Sequence, residues 1–121
     1  MLFRSVHASL ERFFVEYPLA AHRMFFATTK ASHHYAQVTY QPEDFLVFGR
    51  ETRGLPESLL ARVLERCIRI PMRAEARSLN LSNAVAIVAF EALRQQSFHG
   101  LRPEGRLTGD DEGGAPWLDY V

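Results

Sequence analysis

Two stretches carry the residue types that can do chemistry. The first is Gly49-Arg50-Glu51-Thr52-Arg53-Gly54-Leu55-Pro56. The second runs from Ile68-Arg69-Ile70-Pro71-Met72-Arg73 to Ser78-Leu79-Asn80-Leu81-Ser82-Asn83. Gly49 and Gly54 permit positive φ or close backbone approach, and Glu51 can pair with Arg53. A structural turn explains the first loop about as well as a ligand loop does. It has neither the Gly-x-Gly-x-x-Gly spacing of a dinucleotide turn nor the Gly-Lys-Ser/Thr ending of a phosphate loop. Arg69, Arg73 and Arg77, with Arg50 and Arg53, can build a local basic patch. Forked guanidinium donors suit phosphate, although each arginine taken singly reads as a solvated loop residue. Ser78, Asn80, Ser82 and Asn83 crowd one helix start. One of them caps the helix, and the surplus points to a polar site at its N-terminus.

The elements that must position these groups follow from hydrophobic pattern. Residues 8–17 read as a helix with Ser9 as cap. Leu10, Phe13, Phe14 and Tyr17 recur at helical spacing, and Pro18 stops the helix. The continuous apolar runs at 23–28 and 44–48 read as strands buried on both faces, as in a parallel sheet. Residues 57–65 read as a short helix with Pro56 at its start, and 67–70 as a third strand. Residues 80–96 form a long helix, apolar on nearly all faces, that is expected to be deeply packed or to lie in an interface. Residues 31–43 have no clear pattern. The reading is an α/β sheet with parallel pairs, whose carboxyl ends carry both polar loops, where open α/β sheets bind ligands.

The chain has 121 residues, enough for one domain with a core. Formal net charge is zero, so nucleic-acid contact must come from a local cluster rather than a global field. The single cysteine, Cys67, excludes an internal disulfide; its place in an apolar strand reads as a small core residue. His33 and His34 are adjacent and lack a third ligand, so no metal site is expected. No apolar run reaches the roughly 18 residues of a membrane span, and the charged start lacks a signal-peptide core. A soluble cytoplasmic protein is the expectation. Gly and Pro accumulate after Phe98, with Asp110, Asp111 and Glu112 following. The domain is therefore placed at 1–100 and a disordered tail at 101–121.

Phe48 to Pro56, Ile68 to Met72 and Arg77 to Val85 together closely resemble the second and third motifs of the SPOUT methyltransferases. Phe26-Ala27-Thr28-Thr29-Lys30 resembles the strand end preceding them. The nearest branch is that of the tRNA (cytidine/uridine-34) 2′-O-methyltransferases, and the resemblance covers about residues 7–100. It implies an α/β sheet with a C-terminal trefoil knot, S-adenosylmethionine as cofactor, tRNA as substrate and a homodimer. By position, Ala27, Gly49, Ile70, Ser78 and Leu79 would line the cofactor pocket. Ser78 and Asn80 would serve catalysis, and Arg50, Arg53, Arg73 and Arg77 would meet the RNA.

One family feature has no counterpart. The first motif carries an arginine thought to help activate the ribose hydroxyl, and nothing in residues 1–22 matches it. The resemblance thus implies that an N-terminal strand–helix unit is missing and that methyl transfer by this chain is impaired; general-base help is worth about 10²–10⁴ in rate. The alternative is a non-catalytic module that binds cofactor or RNA, or dimerises. An unrelated nucleotide-binding α/β protein is disfavoured by the absent glycine fingerprint.

Overall fold

The computed structural model describes residues 9–50, 53–76 and 79–109. The expectations placed on Glu51, Thr52, Arg77, Ser78 and the chain beyond Gly109 lie outside the described residues.

Helix α1 spans Leu10–Glu16, and Ser9 caps it: its Oγ accepts from the Arg12 N–H at 3.2 Å. Leu10, Phe13, Phe14 and Tyr17 turn toward the core, as their spacing requires. A single 3-10 turn, Leu19–Ala21, then leads into the sheet.

Three parallel strands form the sheet among the described residues: β1 (Met24–Ala27), β2 (Phe45–Phe48) and β3 (Cys67–Ile68), in the order β2-β1-β3. The register pairs Ala27 with both Phe48 and Ile68. β1 is central, and side-chain alternation explains its continuous apolar run. Met24 and Phe26 enter one core cluster with Leu60 and Cys67. Phe25 enters another with Tyr40, Ile68 and Val88. Burial of each large side chain contributes about 1.5–3 kcal/mol. β2 was expected to be buried on both faces. All four of its residues are instead half-buried, because β1 covers only one of its edges.

Helix α2 (Glu57–Arg62) begins after Pro56 and carries Glu57 in its first turn and Arg62 in its last, the arrangement its dipole favours. It ends three residues before the expected Glu65, and a 3-10 turn (Leu64–Arg66) hands the chain to β3. β3 is shorter than the expected 67–70, because its partner β1 turns away after Ala27. Thr28 N–H still donates to the Ile68 carbonyl at 2.9 Å. The chain then bends and returns at His34, which pairs with Arg69 in an isolated parallel bridge.

Helix α3 (Leu81–Gln95) lies on the face of the sheet opposite α1 and α2. Deep packing on nearly all faces does not occur: Val88 and Ala89 are buried, while Phe90 is 54% and Val85 37% exposed. One face of a sheet contacts one stripe of a helix, so the rest of an apolar helix stays uncovered. Among the described residues no helix is long and apolar enough to cross a membrane.

Candidate functional site

The parallel register brings three chain segments to one end of the sheet. Ala27 ends β1. Gly49 follows β2, and Ile70 lies two residues beyond β3. Ala27 and Ile70 both pack against the core cluster beneath α3. Three of the predicted pocket residues are therefore gathered by topology alone. The fourth, Leu79, is 37% exposed just ahead of α3, and Ser78 lies outside the described residues.

Gly49 is required by close approach. A Cβ there would sit 2.3 Å from the Gly54 carbonyl carbon and 2.5 Å from the Leu55 nitrogen. The loop folds back on its own start: Gly54 N–H donates to the Arg50 carbonyl at 2.8 Å, and Arg50 and Gly54 form an antiparallel bridge. Gly54 takes φ +68° with no neighbour near its Cβ position, so conformation alone selects glycine there.

Ile70 offers what a ligand site needs. It is half-buried, yet among the described residues neither its backbone N–H nor its carbonyl meets a partner. Buried backbone groups are nearly always paired, with protein, water or ligand. Ten residues on, Asn80 caps α3: its Oδ1 accepts from Ser82 N–H at 2.8 Å. Of the four polar residues at that helix start, Asn80 is the cap.

The arginines are less united than their spacing suggested. Arg50 and Arg53 are exposed on the first loop. Arg73 is exposed too and tied to Glu75 at 2.9 Å, so part of its charge is answered within its own loop. Arg77 lies outside the described residues. Cys67 is fully buried, and desolvation pushes its thiol pKa up, with Glu65 adding to the rise; this is an inert core residue. Among the described residues no group of three His, Cys, Asp or Glu side chains could hold a metal.

The clefts described lie elsewhere. The larger, about 380 Å³, sits at the other end of β2, between Tyr40, Asp44, Leu46 and the Ala89, Leu93 and Gln96 side of α3. A smaller one of about 240 Å³ is lined by Thr28, Lys30, Glu57 and Leu64, with Cys67 at its floor.

Two contacts escaped sequence reasoning. One is the bridge between His34 and Arg69, which no local spacing announces. The other is Gln95, whose amide accepts from Tyr40 N–H at 2.9 Å and donates to the Val38 carbonyl at 3.0 Å and to Glu91 at 2.8 Å. A signal existed for the second: Gln95 is in helical phase with Val88 and Ala92, so a polar residue stands in the inward stripe.

Comparison with known proteins places these features in context. The model of the SpoU rRNA Methylase family matches residues 3–90. The tRNA (cytidine(34)-2′-O)-methyltransferase of Escherichia coli strain K12 is 52% identical over 79 residues, which are 64% of this chain and 50% of that one. The Yersinia pestis enzyme of the same name is 51% identical, also over 79 residues (64% of this chain, 49% of that one). A solved structure described as giving insights into the 2-OH methylation of C/U34 on tRNA superposes with TM-score 0.67. Its identity is 37%, and the match covers 76% of this chain and 59% of that one. An AdoMet-bound rRNA methyltransferase from Sinorhizobium meliloti gives TM-score 0.59 and 33% identity (75% and 34% covered). The chain spans 38% to 61% of the length of curated relatives that it matches.

Proposed function

Because the chain belongs to the SpoU rRNA methylase family, we propose that it takes part in S-adenosylmethionine-dependent methylation of a ribose 2′-hydroxyl at nucleotide 34 of tRNA. The observation that carries this reading is the set of backbone groups on Ile70 that have no partner among the described residues, half-buried at the carboxyl end of the sheet that Ala27 and Gly49 share. Free N–H and carbonyl groups of this kind can hold an adenine edge or an amino-acid end without any charged side chain.

On this reading Ala27, Gly49, Ile70, Ser78 and Leu79 hold the cofactor, which supplies an electrophilic methyl group. The chain's own contribution is positioning. Gly49 lets the first loop close, and Asn80 fixes the start of α3. Such orientation alone lowers a barrier substantially. Arg50, Arg53, Arg73 and Arg77 meet the RNA backbone. The trefoil knot of the family and a cytoplasmic location belong to the same reading. So does a homodimer, for which the uncovered Val85 and Phe90 of α3 provide an apolar surface.

A second reading, cofactor binding without turnover, is favoured by one observation: Asn80 Oδ1 is already engaged as a helix cap. Two measurements separate the readings. Saturable one-to-one binding of S-adenosylhomocysteine by calorimetry is expected on both. Transfer of labelled methyl from S-adenosylmethionine to tRNA is expected only on the first. Binding without transfer at high protein concentration supports the second, and absence of binding by the folded chain removes both.

A further inference from the structure

The bridge between His34 and Arg69 presents two donors that have no partner among the described residues. Tyr35 N–H donates to the Arg69 carbonyl at 2.8 Å, and Arg69 N–H donates to the His33 carbonyl at 2.9 Å. The pair is parallel, so both side chains leave the same face, with backbones about 4.8 Å apart. That face is identified by alternation. Ile68, Ile70 and Tyr35 pack on the α3 side, while Cys67 packs on the α1 and α2 side. Arg69 and His34 therefore emerge on the side of Cys67, beyond the end of β1.

The chemistry of each donor is set locally. Ala36 N–H donates to His34 Nδ1 at 3.2 Å. An N–H can only donate, so Nδ1 holds a lone pair and the ring proton resides on Nε2. His34 N–H is in turn held by Gln37 Oε1 at 2.8 Å. The imidazole is thus oriented, and it offers a neutral Nε2–H. Among the described residues the Arg69 guanidinium has neither an ion pair nor a hydrogen bond. Other basic groups nearby are answered: Lys30 by Glu57 at 3.3 Å, Arg73 by Glu75. Arg69 is also half-buried and fixed in a ladder, so it loses less freedom on binding than a solvated loop arginine.

We infer that His34 and Arg69 form a two-donor clamp for one phosphate of the RNA backbone. The clamp rests on the RNA-methylation reading and deepens it. Arg69 is the chain neighbour of Ile70, so the clamp sits at the same end of the sheet, on the face opposite the Ile70 side chain. A planar cationic fork beside a fixed neutral N–H matches the several acceptor oxygens of a phosphodiester.

The test is fluorescence anisotropy of a tRNA anticodon stem–loop titrated with the full chain across a salt series. Arg69→Gln is expected to weaken binding several-fold and to reduce the slope of log affinity against log salt by about 0.7–0.9, one phosphate's worth. His34→Ala is expected to weaken binding several-fold with the slope unchanged, because the donor is neutral. The double variant is expected to be less weakened than the product of the two single effects, because both grip one phosphate. S-adenosylhomocysteine affinity and the thermal melt report folding and are expected to hold in every variant. RNA binding by the wild type with both single variants unaltered overturns the clamp alone. Loss of RNA and S-adenosylhomocysteine binding in parallel also overturns it, by assigning the bridge a purely structural role. Absence of RNA binding by the wild type overturns both the clamp and the function it rests on.

Discussion

Gly49 and Gly54 lie so close that a methyl group on the first would stand 2.3 Å from the carbonyl carbon of the second. The clash is with backbone, which cannot swing aside as a side chain can. Gly49→Ala is therefore expected to force the loop open and destabilise the fold by at least about 1–3 kcal/mol. For domains of 60–250 residues each kcal/mol lowers the melting temperature by roughly 2–8 °C. Gly54→Ala meets no neighbour but must hold φ +68°, a strain of about 1–2 kcal/mol. The expected order in a thermal melt is wild type, then Gly54→Ala, then Gly49→Ala, with S-adenosylhomocysteine affinity falling most in the last. Equal melting of the two variants would contradict the close approach.

Gln95 ties the end of α3 to the irregular segment before β2. Its amide satisfies the Tyr40 N–H and the Val38 carbonyl together. Gln95→Leu fills similar space but leaves both backbone groups without partners, at about 1–3 kcal/mol for each group that water cannot reach. Urea unfolding is expected to show a lower midpoint with an unchanged slope. Amide exchange at Tyr40 is expected to quicken. Exchange that stays slow would mean the segment is held by its other contacts, the Phe25 ring that meets Tyr40 edge-on at 5.1 Å and the Arg23 guanidinium that donates to the Thr39 carbonyl at 2.9 Å.

The strands, their parallel pairing and the helix starts were legible because each is written in local pattern. The run from Met24 to Ala27 has the length and apolarity of a central strand, and Ser9 and Pro56 mark helix starts by their own chemistry. The gathering of Ala27, Gly49 and Ile70 was legible at one remove, since parallel strands send their carboxyl ends to one edge. The extent of β3, the uncovered side of α3 and the half-burial of β2 were not. Each depends on where a neighbouring element stops, and that is decided by tertiary partners rather than by the residues themselves. The His34–Arg69 bridge is the extreme case. It joins residues far apart in sequence, and neither histidine spacing nor arginine spacing encodes it. Asn80 shows the converse: its polar cluster was visible, but only the bond to Ser82 N–H picks the cap out of four candidates.

Glu91 gives the fold a dependence on acid. Hydrogen bonds from Arg94 first and Gln95 second hold its carboxyl well below the usual range, at about 2. Arg94 contacts it at 2.8 and 3.0 Å, and the Glu91 side chain is only 10% exposed. In the unfolded chain the same carboxyl titrates near its ordinary 4.5. A group whose folded pKa is depressed adds stability above its unfolded pKa and loses it as pH falls toward the folded one. The contribution is therefore complete above about pH 4.5 and drains away between there and about pH 2. Denaturation midpoints measured across that window are expected to fall less steeply in Glu91→Gln than in the wild type. Parallel curves would mean that Glu91 titrates alike in the folded and unfolded chains.

Asn80 allows capping and chemistry to be separated, because serine caps helices about as well as asparagine. Asn80→Ser is expected to keep the bond to Ser82 N–H and leave the melting temperature nearly unchanged. Asn80→Ala removes the cap and costs about 0.5–2 kcal/mol. If the amide also orders the acceptor ribose, methyl transfer to tRNA falls in both variants, and to a similar extent, although only one of them is destabilised. If Asn80 is a cap and nothing more, transfer or S-adenosylhomocysteine binding tracks stability: retained in Asn80→Ser and diminished in Asn80→Ala. Measuring the melt and the transfer rate on the same two proteins decides the matter, because the proposed roles move one readout without the other.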